Sequence, residues 1–386
     1  MNYFLTEEQE MIRDTARQIA REKIVPVREE LDEKEEFPHD IIKVMGQSDL
    51  MGIYIPEEYG GLGLGSLALC IAVEEISAAC VGVSTSFAAN ALGTYPILLF
   101  GSDEQKKKYL PKIASGEHMA AFGLTEANAG SDASGIQTTA KLDGNEYILN
   151  GTKQWITNGS VADTYTVIAI TDKSKGMRGA SAFIVEKGTP GFSFGKKEKK
   201  MGIRASATTE LIFEDCRIPK ENLIAREGMG FIVAMKTLDV SRVGVGAQGL
   251  GVAQGALDEA VKFARQRVQF GQPIASFQAV QHMLADMATQ TEAARNLVYN
   301  VARYIDSGAK DYSKVASMAK LFATDTGMRV TTDAVQVMGG SGYMREYPVE
   351  KMMRDAKILQ IYEGTNQIQR NVIGQALVKE AAKGDK

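Results

Sequence analysis

The periodicity of the apolar residues changes twice along this chain of 386 residues. From residue 5 to about 115, apolar positions recur every three or four residues, a spacing that predicts helices. Short β-prone runs replace that pattern between about 116 and 226, and the helical spacing then returns. The sequence therefore predicts a β domain between two helical regions. The expected domain limits are 1–115, 116–226 and 227–386.

Prolines and one capping signal divide the helical regions. Proline lacks a backbone N–H, so it is expected to end helices in the first region. The prolines concerned are Pro26, Pro38, Pro56 and Pro96. Thr6 with Gln9 fits a capping box that opens the first helix. In the third region an apolar face continues over residues 277–304, which is typical of a helix bundle or an oligomer interface.

Two dipeptides in the middle region, Asp143-Gly144 and Asn150-Gly151, are typical of hairpin turns because glycine tolerates a positive φ. Short runs rich in β-branched and aromatic residues accompany them. These runs are 147–149, 154–157, 165–171, 182–185 and 210–213. A small antiparallel meander or barrel is the simplest arrangement for such strands.

Charge and cysteine content exclude several classes of protein. Lys and Arg number 44 against 48 Asp and Glu, a formal charge of −4, so nucleic acid is not an expected partner. The three cysteines form no C-x-x-C pair, which favours a reducing compartment. No apolar run is long enough to cross a bilayer, so membrane insertion is not expected. The three histidines are too far apart in sequence to indicate a metal site.

A G-x-G-x-x-G pattern at Gly244, Gly246 and Gly249 matches the dinucleotide fingerprint but follows a helical segment rather than a strand. No acidic residue lies about 20 positions later, as that fingerprint requires. We expect instead that Gly244, Gly251 and Gly255 share one helical face that allows close helix packing.

Two features of the middle region are suited to holding a ligand. The stretch 122–132 combines glycines, hydroxyls and carboxylates without Lys or Arg, so it can offer N–H groups and hydroxyls to a phosphate. A plain loop at a domain entry is the alternative. Trp155, the one tryptophan, is either a core residue or an aromatic platform for a cofactor.

The segment 360–370 sets Glu363 between Tyr362 and Gly364. A carboxylate enclosed beside an aromatic ring has its pKa raised, so it can accept and hold a proton near neutrality. The Gly364 backbone would be open to a ligand oxygen. The alternative for Glu363 is a surface ion pair. Upstream, the segment 336–343 is a candidate part of a ligand site, but its sequence is equally typical of a helix C-cap.

Six segments taken together resemble the acyl-CoA dehydrogenase family, most closely its short-chain, butyryl-CoA type. They are FGLTEANAGSD, NGTKQWITNG, LDVSR, RVQFGQPI, QVMGGSGY and RDAKILQIYEGTNQIQR, in the family's order over nearly the whole chain. The resemblance implies a mainly α fold with a small β domain: a helical N-terminal domain, a β-barrel middle domain and a C-terminal four-helix bundle. It also implies FAD and a homotetramer.

The resemblance further assigns cofactor-binding positions. Those on the β domain would contact the flavin nucleotide, with Trp155 against the ring and Thr157 near its reactive nitrogen. They are Phe122, Leu124, Thr125, Ser131, Trp155, Ile156 and Thr157. A second set would reach the cofactor of a neighbouring subunit: Arg267, Phe270, Gln278, Gln336 and Gly340. Thr365 and Gln367 complete the cofactor-binding residues.

By the same resemblance, Glu363 is the base that removes the α-proton of an acyl-CoA thioester, and flavin takes the β-hydride. Some family members carry the base on another helix, at the position of Ser241, and a serine cannot serve there. The expected substrate-binding residues are Ser131, Asp239, Arg242, Tyr362 and Gly364.

The helix that lines the acyl pocket in the family corresponds to residues 81–100, which carry no charge. An uncharged acyl group is therefore expected. Butyryl, slightly longer, branched and alicyclic groups all remain open. Electron-transferring flavoprotein is the expected electron acceptor, and the bacterial cytoplasm the expected compartment, with the mitochondrial matrix as the alternative.

Three other functions compete with the dehydrogenase. An acyl-CoA oxidase shares the half-reaction, but such proteins usually have an extra C-terminal helical region. A non-catalytic scaffold of the same fold is disfavoured because the residues expected for catalysis and flavin binding stand within their motifs. These residues are Glu363, Trp155, Thr157 and Arg267. A nicotinamide-dependent reductase would depend on the glycine pattern set aside above.

Overall fold

The computed structural model describes residues 3–384. The N-terminal part is helical, and its first helix opens with the predicted capping box, in which Thr6 and Gln9 exchange hydrogen bonds. Its helices are α1 (Glu7–Ile19), α2 (Arg28–Glu33), α3 (His39–Gln47), α4 (Gly65–Ala79), α5 (Val81–Phe100) and α6 (Asp103–Ala114). Helices α4 and α5 are apolar on nearly every side, and most of their residues are buried.

The middle part is one mixed sheet of eight strands. They are β1 (Ala120–Gly123), β2 (Thr139–Asp143), β3 (Glu146–Thr157), β4 (Thr164–Ile170), β5 (Ala180–Glu186), β6 (Phe192–Phe194), β7 (Thr208–Pro219) and β8 (Leu223–Ile224). The path runs β6-β7-β3-β2-β4-β5-β8, with β1 parallel to β4. The β domain is confirmed, but its strand path is open, with no pairing between β6 and β8 in the described chain.

The C-terminal part is helical again, as expected. It contains α7 (Gly230–Gln266), the two-residue strands β9 (Val268–Gln269) and β10 (Gln272–Pro273), α8 (Gln278–Asp306), α9 (Ser313–Met338), α10 (Val349–Leu359) and α11 (Asn366–Gly384). Helix α7 is central, because it packs against α4 and α5 on one side and against α8 and α9 on the other. The boundaries between the helical parts and the β part lie near the expected domain limits. Those limits remain a proposal.

The Asp143-Gly144 hairpin is confirmed, and Gly144 has a φ of +62°. The expected turn at Asn150-Gly151 is wrong, because β3 runs straight through it. A register shift against β7 lies there instead, which is a bulge. Only glycine fits the bulge, since a Cβ on Gly151 would lie 2.5 Å from the Thr138 Oγ1.

Of the four prolines expected to end helices, Pro96 is the exception, because it lies inside α5. Burial of α5 against its neighbours offsets the one backbone hydrogen bond that the proline ring removes. Pro26, Pro38 and Pro56 lie outside the α-helices. Among residues 3–384, no helix is both long and apolar enough to cross a membrane.

The expected close packing of α7 is confirmed at Gly251 and Gly255, where α4 leaves no room for a side chain. A Cβ atom built on Gly251 would lie 2.3 Å from the Glu74 carbonyl oxygen, and one built on Gly255 would lie 2.2 Å from the Ala78 carbonyl oxygen. The expectation is wrong for Gly244, which faces open space. Gly249 packs closely on α9 instead, since a Cβ atom built on it would lie 2.6 Å from the Ala323 carbonyl oxygen.

Gly251→Ala is expected to lower the free energy of unfolding by roughly 1 to 3 kcal/mol, because the new methyl group would push α4 away from α7. Gly244→Ala is the matched control: it should raise stability by about 0.5 to 1 kcal/mol, since alanine is the better helix former and has room. Thermal melts of both variants check the pair. Equal melting temperatures would contradict the assigned contact.

Candidate active site

A cavity of about 390 Å³ opens where α5, the β domain and the C-terminal helices meet. One wall is formed by Thr85, Ala88, Ala89 and Leu92 of α5. The second wall comes from β1, β3 and the loop after β1, and the third from α7 and the turn between α10 and α11. Three parts of the chain that are distant in sequence therefore share one space.

On the β side of the cavity, Trp155 is 56% exposed and is not a core residue. It has a φ of +58° and lies within a register shift of β3 between Lys153 and Ile156. This irregularity redirects the side chain from the sheet toward the cavity. A large aromatic face is thus available to a planar ligand.

The loop that carries Thr125 and Ser131 is held by a buried ion pair. The Lys153 Nζ donates to the Glu126 carboxylate at 2.7 Å and to the Leu124 carbonyl at 3.1 Å. The same carboxylate accepts the backbone N–H groups of Gln137 and Thr138 at 2.6 and 3.0 Å. The loop is therefore built around Glu126.

Burial and the charge of the partner both shift the pKa values of Lys153 and Glu126. Burial lowers the pKa of Lys153 to about 8, although the Glu126 charge opposes that change. Burial also acts to raise the pKa of Glu126, but Lys153 and the hydrogen bonds from Thr138 outweigh it and bring the pKa below its ordinary value. Each charge is stabilised mainly by the other.

Glu363 lines the cavity from the turn between α10 and α11. Its carboxylate accepts a hydrogen bond from the Ser241 Oγ at 2.5 Å. Burial raises the pKa of Glu363, while Ser241, Arg242 and Lys320 act in the opposite direction. Glu363 makes no ion pair within 4.0 Å in the described chain, so the alternative of a surface ion pair is wrong. An enclosed carboxylate of raised pKa suits proton abstraction.

The backbone beside Glu363 leaves donors available. Within residues 3–384, neither the Glu363 N–H nor the Gly364 N–H donates a hydrogen bond to the protein. Both residues have positive φ, 52° and 91°. This turn interrupts the helical pattern, so its N–H groups are free to meet a ligand oxygen.

Three uncharged polar groups close one end of the cavity. The Tyr362 hydroxyl donates to the Gln248 Oε1 at 2.7 Å, and the Gln248 Nε2 donates to the Thr85 Oγ1 at 3.3 Å. All three residues line the cavity. Because they satisfy one another, this end offers no free charge to a ligand.

Arg242 lies near Glu363 but is already paired. Its Nη1 donates to the Asp239 carboxylate at 2.7 Å, and that carboxylate also accepts the Ser313 hydroxyl at 2.8 Å. Both Arg242 and Asp239 are buried. Arg242 lines the cavity and Asp239 does not.

Most of the predicted site residues meet in this cavity. They are Phe122, Leu124, Thr125, Ser131, Trp155, Ile156, Thr157, Arg242, Tyr362, Glu363 and Gly364. The others do not line it in the single chain: Arg267, Phe270, Gln278, Gln336, Gly340, Thr365, Gln367 and Asp239. Of the outlying residues, Phe270 is 94% exposed at the tip between α7 and α8.

Sequence reasoning missed three polar residues of the site: Thr85, Gln248 and Lys320. The available signal for Lys320 was a lysine among Ala316, Ala319 and Ala323 on the buried face of a helix. Thr85 and Gln248 had no such signal, because a neutral polar residue in an apolar helix is usual. The spacing of residues in sequence cannot show that they meet Tyr362.

Comparison with known proteins agrees with this geometry. The models for the N-terminal, middle and C-terminal domains of acyl-CoA dehydrogenases match residues 6–117, 121–216 and 228–378. The chain belongs to the acyl-CoA dehydrogenase family. An acyl-CoA dehydrogenase of Bacillus subtilis is 51% identical over 376 residues, which cover 97% of this chain and 99% of that protein.

Two solved structures are similar to this acyl-CoA dehydrogenase family member over nearly their whole length. Butyryl-CoA dehydrogenase from Megasphaera elsdenii has a TM-score of 0.96 and 48% identity, covering 98% of this chain and 100% of that one. A chain in a structure of the electron transferring flavoprotein of Acidaminococcus fermentans has a TM-score of 0.96 and 56% identity, covering 98% and 99%.

The cavity of this acyl-CoA dehydrogenase fits FAD. Trp155 offers an exposed aromatic face, and Phe122 and Leu124 add apolar surface. The hydroxyls of Thr125, Ser131 and Thr157 line the same wall and suit the polar atoms and phosphates of a flavin nucleotide. The residues present are therefore of the types that this cofactor requires.

Proposed function

We propose that the protein converts a short, uncharged acyl-CoA thioester to the trans-2-enoyl-CoA, with Glu363 as the base. The enclosed Glu363 carboxylate beside the cavity carries this proposal, because burial keeps its pKa above that of an ordinary glutamate. The α-proton passes to this carboxylate, and a hydride leaves the β-carbon. Bound FAD supplies the acceptor for that hydride.

The residues around Glu363 support the proton transfer. Ser241 holds one carboxylate oxygen and so limits the rotation of the carboxylate. The free N–H of Glu363 is suited to stabilise negative charge that develops on the thioester oxygen. The apolar α5 wall excludes water, which strengthens both effects.

The cavity wall supports an uncharged acyl group. Helix α5 contributes Thr85, Ala88, Ala89 and Leu92, and none of these side chains is charged. Arg242 is the one Lys or Arg among the described residues that line the cavity, but Asp239 already neutralises it at 2.7 Å. A distal carboxylate on the substrate would have no partner and would be costly to bury.

The outlying cofactor residues support a shared site. Arg267, Phe270 and Gln278 are exposed beyond the end of α7, where a second copy of the chain can reach them. We therefore retain the homotetramer with shared flavin sites. The flavoprotein structure from Acidaminococcus fermentans supports electron-transferring flavoprotein as the acceptor. The bacterial relatives favour the bacterial cytoplasm over the mitochondrial matrix.

Anaerobic bleaching of the holoenzyme by a panel of acyl-CoA thioesters tests the proposed function. Butyryl-CoA is expected to reduce the flavin fully, and glutaryl-CoA to do so about a hundredfold more slowly because its second carboxylate lacks a cation. Hexanoyl, isobutyryl and cyclohexanecarboxyl thioesters rank the uncharged acyl groups. A protein that takes up no FAD, or that prefers glutaryl-CoA, would contradict the proposal.

A further inference from the structure

Lys320 is a fully buried cation that belongs to the catalytic turn rather than to the cavity wall. It lies on α9 with its side chain at 0% exposure and does not line the cavity. Its neighbours on the buried face of α9 include Ala316, Ala319 and Ala323. A buried ammonium group requires polar partners to offset the loss of its hydration.

The partners of Lys320 lie in the turn that follows Glu363 and at the first residue of α11. The Lys320 Nζ donates to the Gly364 carbonyl at 3.0 Å and to the Asn366 Oδ1 at 2.8 Å. Asn366 is fixed in turn, because its Nδ2 donates to the Thr324 Oγ1 at 3.0 Å and to the Asp325 carboxylate at 2.7 Å. Lys320 forms no ion pair within 4.0 Å in the described part of the chain.

The turn needs such anchors. Glu363 is not a glycine, yet its φ is +52°, a conformation that costs roughly 1 kcal/mol or more and must be held by its surroundings. The Gln369 Nε2 donates to the Glu363 carbonyl at 3.2 Å and to the Gly364 carbonyl at 2.9 Å. Lys320 and Gln369 thus hold the same carbonyl, one with a charge and one without.

We propose that Lys320 is a positioning residue for Glu363: its ammonium group anchors the turn that carries Glu363, and its positive charge favours the ionised carboxylate. This inference depends on the proposed role of Glu363 as the base. Burial lowers the pKa of Lys320 to about 7, while the Glu363 charge opposes that change. The charge on Lys320 is therefore fullest below about pH 7, where Glu363 most needs stabilisation as an anion.

The other charged groups that influence Glu363 differ from Lys320 in having partners of their own. Arg242 is neutralised by Asp239, and Asp325 accepts hydrogen bonds from Gln360, Asn366 and Arg370. The groups around the pair are Tyr95 on α5, Asp239 and Arg242 on α7, Asp325 on α9 and Tyr362 in the turn. Lys320, by contrast, has no carboxylate partner within 4.0 Å among the described residues.

Stopped-flow reduction of the FAD-loaded enzyme by butyryl-CoA, measured from about pH 5.5 to about 8.5, tests the inference. In Lys320→Met the limiting rate should be about tenfold lower below pH 7, because the rising limb of the profile moves to higher pH by about one pH unit. The loss should shrink at higher pH, where wild-type Lys320 also loses its charge.

Gln369→Leu is the matched variant, because it removes neutral donors to the same turn and leaves the cation in place. Its limiting rate should fall while its pH dependence stays that of the wild type. Lys320→Gln keeps a donor without the charge and should show the same displaced limb as Lys320→Met. It serves as the test if the methionine variant does not load FAD.

The inference is overturned if the Lys320 variants keep the wild-type profile, or if Gln369→Leu displaces the limb as far as they do. Glu363→Gln separates this failure from that of the proposed function. An inactive Glu363→Gln with unchanged Lys320 variants overturns the role of Lys320 alone. An active Glu363→Gln overturns the base and, with it, the role of Lys320.

Discussion

Glu363→Gln is expected to slow reduction of bound flavin by butyryl-CoA by about a thousandfold or more. The amide has the size of the carboxylate and can still accept from Ser241, but it cannot take up the α-proton. A general base contributes roughly 10² to 10⁴ to the rate. Anaerobic stopped-flow measurement of the limiting rate gives the value directly.

Two controls accompany this variant. FAD content and melting temperature should equal those of the wild type, because the amide leaves the cavity wall unchanged. Glu380→Gln, at an exposed glutamate paired with Lys314 on the surface, should reduce flavin at the wild-type rate. Near-normal reduction by Glu363→Gln would refute the role of Glu363 as the base.

The wild-type rate of flavin reduction should itself depend on pH through Glu363. The base acts only when it is ionised, so the limiting rate falls as the pH drops through the pKa of Glu363. Burial raises that pKa, and the loss of activity should therefore begin at a higher pH than for an exposed glutamate.

Lys153→Met is expected to lower the free energy of unfolding by roughly 3 kcal/mol, because it leaves the buried Glu126 carboxylate without its cation. The same change should weaken FAD binding, since Glu126 and Lys153 fix the loop that carries Thr125 and Ser131. Thermal melts of the apoprotein and FAD titration by flavin fluorescence measure the two effects separately.

Two further variants make this result specific. Lys108→Met removes an exposed lysine paired with Glu186 and should change the melting temperature little. The double variant Lys153→Met with Glu126→Gln should recover part of the loss, because no unpaired charge remains buried. Equal melts for Lys153→Met and Lys108→Met would contradict the assigned pair.

Local patterns predicted most of the architecture correctly. The α, β, α succession follows from hydrophobic periodicity, and the capping box at Thr6 depends only on residues three apart. The same reasoning was wrong at Asn150-Gly151, where pairing with β7 continues the strand through a sequence typical of a turn. It was also wrong at Pro96, where burial of α5 outweighs the missing hydrogen bond.

The candidate site was only partly accessible from sequence. The motifs around Trp155 and Glu363 indicated the two sides of the cavity, and the structure brings both to it. The pairing of Glu126 with Lys153, and of Lys320 with the Gly364 carbonyl, joins residues 27 and 44 positions apart. No periodicity or motif spacing contains such contacts.

By itself, the sequence determined the class of fold and the types of side chain available for chemistry, because helix and strand periods and short motifs are properties of neighbouring residues. Tertiary structure alone decided that Glu363 is enclosed and that Arg242 is already neutralised. It also placed a buried lysine behind the catalytic turn. The strength of a charge and the pKa of a carboxylate depend on burial and on partners from distant segments, and folding is what brings those partners together.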